Sequence, residues 1–171
     1  MIGIKIIIGI VIICISGYIG IEMAENLRAR EDVLRDFSKF LNMLKSEMMY
    51  LNSNIPSCFE SARQTLKSNL KYAIENIVID MAKFGVSKVD ISIEENIKNL
   101  ECLSKEDELF IISTLKNLGL SDINSQINII DNAISIVEEK IKEANDKKNK
   151  DSKVYKTVGI IAGIIVVVIL I

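Results

Sequence analysis

The chain has 171 residues, one proline, no histidine and a formal net charge of −2. Its length fits one domain, and the lack of histidine excludes imidazole acid–base catalysis, Ser-His-Asp triads and imidazole metal sites. All 23 acidic residues lie within residues 22–153, against 19 of the basic ones, an acidic balance that argues against nucleic acid as a partner.

Residues 1–21 are apolar apart from Lys5, Ser16 and Tyr18. As a helix they would extend about 31 Å, enough to cross a bilayer core. A cleaved secretory signal is the rival reading. The single lysine before the apolar run, and the absence of a small-residue cleavage site before Glu22, weigh against it. The apolar run also passes straight into a helical pattern, so a retained membrane helix is expected.

That pattern carries Met23, Leu27, Leu34, Phe37, Leu41, Leu44, Met48 and Leu51 on one face. It ends at Asn52-Ser53-Asn54-Ile55-Pro56, where turn-favouring residues precede the proline. Shorter helices follow. Ser57 is expected to cap a helix bearing Phe59, Ala62 and Leu66. A second helix carries Leu70, Ala73, Ile74, Ile77, Val78, Met81 and Ala82 and stops near Gly85. Residues 86–93 alternate only weakly, which favours a loop over a strand. Ser92 to Glu95 fits a capping box for a helix through Leu103. Ser104 to Asp107 starts another helix, with acidic residues in the first turn where the helix dipole favours them. This helix is expected to turn Leu109, Ile112 and Leu115 inward and to stop at Gly119.

From Asp122 a last long helix is predicted. Its apolar residues step Ile123, Ile127, Ile130, Ile134, Val137, Ile141 and Ala144, alternating 4 and 3. Lysines at 147, 148, 150, 153 and 156 then form a positive collar, and residues 154–171 form a second apolar run. Counted from Val154 this run is about 27 Å long, adequate for a crossing if Lys156 extends to the headgroups. A buried soluble helix is the weaker alternative.

The expected fold is therefore all-α. Membrane helices at residues 1–21 and 154–171 flank a helical bundle at 22–153, and the long first and last helices pair antiparallel. Lysines and arginines crowd the bundle side of both apolar runs. The positive-inside rule then places residues 22–153 in the cytoplasm, with both termini outside, and the collar is suited to membrane lipid. Ser16-x-x-x-Gly20 and Gly159-x-x-x-Gly163 offer small-residue faces for packing the two membrane helices.

The three cysteines are isolated, so neither a zinc site nor a disulfide framework is expected. Cys58 and Cys102 read as small buried hydrophobes. Glu106, Asp107 and Glu108 are accounted for by their place at a helix start. Nothing points to an enzyme or a cofactor. Glu47 and Tyr50, near the first turn, are candidates for a docking tip. Two anchors on a domain without reactive chemistry suggest a platform to which other proteins bind. A membrane-anchored coiled-coil regulator or chaperone is the alternative, favoured if Ile127, Ile134 and Ile141 are left exposed.

As a whole the chain resembles the stage III sporulation protein AB family, distantly related to the platform protein F of type II secretion and type IV pilus systems. The resemblance rests on Glu47-Met48-Met49-Tyr50 followed by Pro56, on Leu118-Gly119-Leu120-Ser121-Asp122 with Gln126, and on Tyr155 followed by Gly159 and Gly163. The chain departs from the family pattern in a longer step from Tyr50 to Pro56 and in Thr114-Leu115 where a Phe-Gly pair is usual. The resemblance implies a channel component between mother cell and forespore, seated in the outer forespore membrane. It implies contact with a secretion-type ATPase, stage III sporulation protein AA; the tip around Glu47, Tyr50 and Pro56 is the candidate surface, the alternative being that these residues only shape the turn. It also implies other channel components as partners and leaves a homo-oligomer open.

Overall fold

The computed structural model describes residues 2–50, 54–119 and 122–170, with side chains described from residue 10 onward except at 87, 156, 160, 169 and 170. The described residues form six α-helices and no strand: α1 (Ile2–Tyr50), α2 (Ile55–Arg63), α3 (Leu70–Phe84), α4 (Asp90–Lys98), α5 (Lys105–Asn117) and α6 (Ile123–Leu170). Leu51, Leu120 and Ser121 fall outside the described residues. The chain divides into two compact units, residues 1–29 with 143–171 and residues 30–142. Neither α1 nor α6 breaks at residues 21/22 or 153/154, because no proline or turn-forming cluster lies there.

In the 30–142 unit, α1 contributes Leu34, Phe37, Phe40, Leu41 and Leu44 to the core, all without solvent exposure. Phe40 meets Phe59 of α2 edge-on at 5.1 Å, and Phe37 meets Phe110 of α5 edge-on at 6.0 Å. These are favoured geometries for aromatic quadrupoles. Ile74 and Ile77 of α3, Ile93 and Ile97 of α4, Ile111 of α5 and Ile130 and Val137 of α6 are buried with them. On the surface of the same unit Glu94 bridges α4 and α5. Lys116 and Lys98 hold its carboxyl down to about 2.

Helix ends follow local chemistry, with three departures from the expectations above. The cap of α2 is Asn54, whose Oδ1 accepts from the Ser57 amide at 3.0 Å. Pro56 therefore sits in the first helical turn, where its missing N–H costs nothing, and Ser57 lies inside the helix. Ser92 is not a cap either. α4 starts at Asp90 after a short 3-10 turn at Val86–Lys88, and the Ser92 hydroxyl donates to Asp80 of α3. Finally, α4 stops at Lys98 rather than running through Leu103. The Ser104–Asp107 capping box of α5 is present with both of its hydrogen bonds.

Two further faces differ from the periodicity. Leu109 is exposed, because the inward line of α5 runs through Asp107, Ile111, Ile112, Thr114 and Leu115, so Ile112 and Leu115 face inward as expected and Leu109 does not. On α6 the buried line is Gln126, Ile130, Ala133, Val137, Lys140 and Ala144. Ile127, Ile134 and Ile141 are only half-buried, on its flank. The helix is rotated because two of its polar side chains have partners inside. Gln126 Oε1 accepts from the Gly119 amide at 3.2 Å, and Lys140 reaches Asp107. Met23 of α1 is likewise exposed, while Ala24 beside it is buried.

Asp36 of α1 is a further buried polar group. It accepts from the Lys67 and Ser68 amides at 2.7 and 2.6 Å, pinning the α2–α3 connection, and from Lys39. Burial opposes its ionisation, but Lys39 and the two amides outweigh burial and hold its pKa below the ordinary value.

Gly85 ends α3 at φ +84° and Gly119 follows α5 at φ +88°, a region costly for residues with a Cβ. A Cβ on Gly85 would meet open space, whereas one on Gly119 would lie 3.2 Å from Val86 Cγ1. Gly85→Ala is therefore expected to cost about 1–3 kcal/mol and Gly119→Ala more than that. Urea midpoints of the detergent-solubilised chain measure both; equal losses would exclude the steric contribution at Gly119.

Candidate functional site

The tip residues are placed unequally. Tyr50, the last residue of α1, is 79% exposed, and Met49 beside it is also exposed. Glu47, one turn earlier, is 9% exposed and faces inward. Burial raises the pKa of the Cys58 thiol on α2, and the charge of Glu47 adds to that shift. Pro56 is half-buried at the start of α2. A shallow groove of about 420 Å³ runs along α1 beside Ser38, Asn42, Met43 and Ser46, with Thr65 on its far wall. The end of α1 thus presents an aromatic residue and a methionine to solvent, over a carboxylate turned to the interior. That arrangement suits a protein contact rather than catalysis. Among the described residues no group of three or more His, Cys, Asp or Glu is placed to hold a metal ion.

The strongest electrostatic feature was not singled out from the sequence. Asp107, at the third position of α5, is completely buried. Arg30 Nε of α1 donates to its Oδ2 at 2.7 Å, and Lys140 Nζ of α6 lies 3.3 Å from its Oδ1. Lys140 also donates to Glu106 at 2.6 Å and stands 5.8 Å from the centre of the Phe110 ring. One carboxylate therefore joins three helices, while its cap bond with Ser104 fixes the start of α5. Burial would raise the pKa of Asp107, but Arg30, Ser104 and Lys140 together hold it below the ordinary carboxylate value. Burial would likewise lower the pKa of Lys140, and its bonds to Glu106 and Asp107 raise it instead. The sequence signal for Asp107 was its capping box, which explains a first-turn acid without revealing that it is buried. Lys140 precedes the lysine collar on the same helix and is not part of it. It is 8% exposed and pairs inside the 30–142 unit.

In the other unit the small residues come together. Gly20 lies against Tyr155 and Gly159, Gly159 against Ser16, and Gly163 against Ile13. Pairing thus advances along α1 as it retreats along α6, which is antiparallel order. A Cβ on Gly159 would stand 2.8 Å from the Ser16 carbonyl oxygen, and one on Gly20 would stand 2.6 Å from the Tyr155 carbonyl oxygen. The Ser16 hydroxyl donates to the Gly159 carbonyl. Only residues with no side chain, or a very short one, allow two backbones to approach this closely.

Among the described residues one helix, α1, is long and apolar enough to cross a membrane. A family model described as stage III sporulation protein AB matches residues 5–171, essentially the whole chain. No curated protein and no solved structure matches it.

Two outcomes follow from this geometry. Asp107→Asn should destabilise the protein at neutral pH by about 3–5 kcal/mol, because Arg30 and Lys140 lose the charge that compensates their burial. The folded-state pKa of Asp107 lies below the ordinary carboxylate value, held there by Arg30, Ser104 and Lys140 against the effect of burial. Its stabilisation is therefore complete above that value and lost as pH falls through the depressed one, so the gap between wild type and variant should narrow on acidification. Urea midpoints across acidic pH measure this. In the other unit, Gly159→Val should lower the thermal midpoint of the detergent-solubilised chain by more than Ser16→Ala, which removes one hydrogen bond worth about 0.5–1.5 kcal/mol.

Proposed function

Because the chain belongs to the stage III sporulation protein AB family, we propose that it is a membrane platform component of the sporulation channel between mother cell and forespore, docking a secretion-type ATPase. In this reading residues 1–21 and 154–171 both cross the outer forespore membrane. Residues 22–153 stand in the mother-cell cytoplasm, and both termini lie outside. The observation that carries the proposal is the family match from residue 5 to residue 171, which takes in both apolar runs as well as the helices between them.

Three physical features support it. The glycine contacts join α1 and α6 within their apolar stretches, as a pair of anchors requires. Two anchors resist extraction better than one when a motor pulls on the domain between them. The buried Arg30–Asp107–Lys140 cluster stiffens the 30–142 unit, which suits transmission of force. A role in assembly rather than in chemistry also fits a chain without histidine.

The proposed ATPase contact is the end of α1 and the start of α2. Since Glu47 is largely buried, Tyr50 with Met49 forms the accessible part, and Glu47 and Pro56 shape it from beneath. The alternative, a coiled-coil regulator that captures a partner helix, is less favoured. The centre of the α6 stripe, Ile130 and Val137, is fully buried within the chain, which leaves only a half-buried flank for a partner.

The test has two parts. Deletion of the gene in a sporulating host should arrest forespores after engulfment; normal development would end the sporulation role. In a pull-down with stage III sporulation protein AA, Tyr50→Ala should weaken capture by about thirtyfold, the loss of about 2 kcal/mol that marks an aromatic hot spot. Undiminished capture by this variant would remove the tip as the contact.

A further inference from the structure

The lysines that follow residue 142 are not equivalent. Lys148 is half-buried, and the neighbouring Ala144 and Ser152 are buried at 1% and 9% exposure. Further along the helix, Gly159 and Gly163 pack on α1. These positions mark the side of α6 that faces α1 within their shared unit. Lys147, Lys150 and Lys153 are exposed and step by three residues. At 100° per residue they spread over about 120° of the opposite side of the helix. None of the three forms an ion pair with a described residue. Several lysines of the 30–142 unit, among them Lys39, Lys45, Lys98 and Lys116, are tied to a carboxylate.

Tyr155 stands just beyond this ladder, before the apolar residues from Val158 onward. Tyrosine at that place suits the headgroup boundary. Measured from Tyr155, Lys153, Lys150 and Lys147 sit about 3, 7.5 and 12 Å along the helix axis. The first two ammonium groups thus fall within the headgroup layer, and the third lies within about one Debye length of it. Asp146 is exposed within the same arc and Asp151 lies about 40° outside it, so the face carries three lysines against one aspartate, while Glu22 and Glu25 of α1 are exposed at a similar level. The positive excess is therefore limited to this face and does not extend around the unit.

Building on the membrane reading above, we propose that Lys147, Lys150 and Lys153 form a binding ladder for anionic phospholipid on the face of α6 turned away from α1. Each ammonium would pair with a lipid phosphate as a compact point charge. Such a ladder would surround the anchor pair with a shell enriched in acidic lipid, and so fix its depth and rotation.

The experiment uses the full chain reconstituted in phosphatidylcholine bilayers doped with spin-labelled phosphatidylglycerol or spin-labelled phosphatidylcholine. Electron paramagnetic resonance measures the motionally restricted fraction of each probe. Wild type should restrict phosphatidylglycerol preferentially, and the preference should shrink with added salt. The Lys147→Gln/Lys150→Gln/Lys153→Gln variant should lose most of it, by up to about fivefold per lysine. A control variant, Lys83→Gln/Lys88→Gln, changes exposed lysines of the 30–142 unit and should retain the preference. Equal restriction of both lipids by wild type, or equal loss in the control, would overturn the proposal. Failure of wild type to remain in the bilayer after an alkaline wash would instead overturn the membrane reading beneath it.

Discussion

The buried carboxylate of Asp107 is the constraint around which the 30–142 unit is arranged. A lone charge cannot be taken from water without compensation. Here it is met by Arg30 from α1, Lys140 from α6 and the capping serine of its own helix. Arg30 and Lys140 are themselves nearly buried, so each depends on the carboxylate for neutrality. The consequence is geometric as much as energetic. Only one rotation of α1 and one rotation of α6 bring both cations to the same carboxylate. A hydrophobic seam alone tolerates slippage, because leucine and isoleucine contacts are non-directional. The ionic cluster removes that freedom and accounts for the presence of Lys140 in the buried stripe of α6.

Asp36 and Gln126 apply the same principle at the connections. Asp36 accepts from two consecutive amides between α2 and α3, and Gln126 accepts from the amide of Gly119 between α5 and α6. In each case a side chain on a long helix satisfies backbone donors of a turn that has no ladder of its own. The long helices thus act as a frame to which the shorter ones are tied. In the unit formed by residues 1–29 and 143–171 the device is different. The backbones of α1 and α6 approach through glycine, and a side-chain hydrogen bond at that contact runs from Ser16 to the Gly159 carbonyl. Close packing of small residues is the mode available where an apolar surround gives no hydrophobic drive to associate. Membership of a sporulation family and a long apolar first helix agree with such a surround.

The amino-acid sequence by itself determined the all-helical character, the positions of the breaks and the small-residue faces. These follow from short-range causes. Apolar periodicity marks the helices, positive φ selects glycine at 85 and 119, and the Ser104–Asp107 spacing permits a capping box. The tertiary structure decided which polar groups are inside. Arg30 and Asp107 are 77 residues apart, and no local pattern marks either as the partner of the other. It also decided that Asn54 rather than Ser57 caps α2, that Ser92 bonds to Asp80, and that Ile127, Ile134 and Ile141 flank the buried stripe of α6. Hydrophobic spacing fixes the face of a helix only to within about one residue. The final rotation is set by directional bonds to distant groups, and those exist only once the chain has folded.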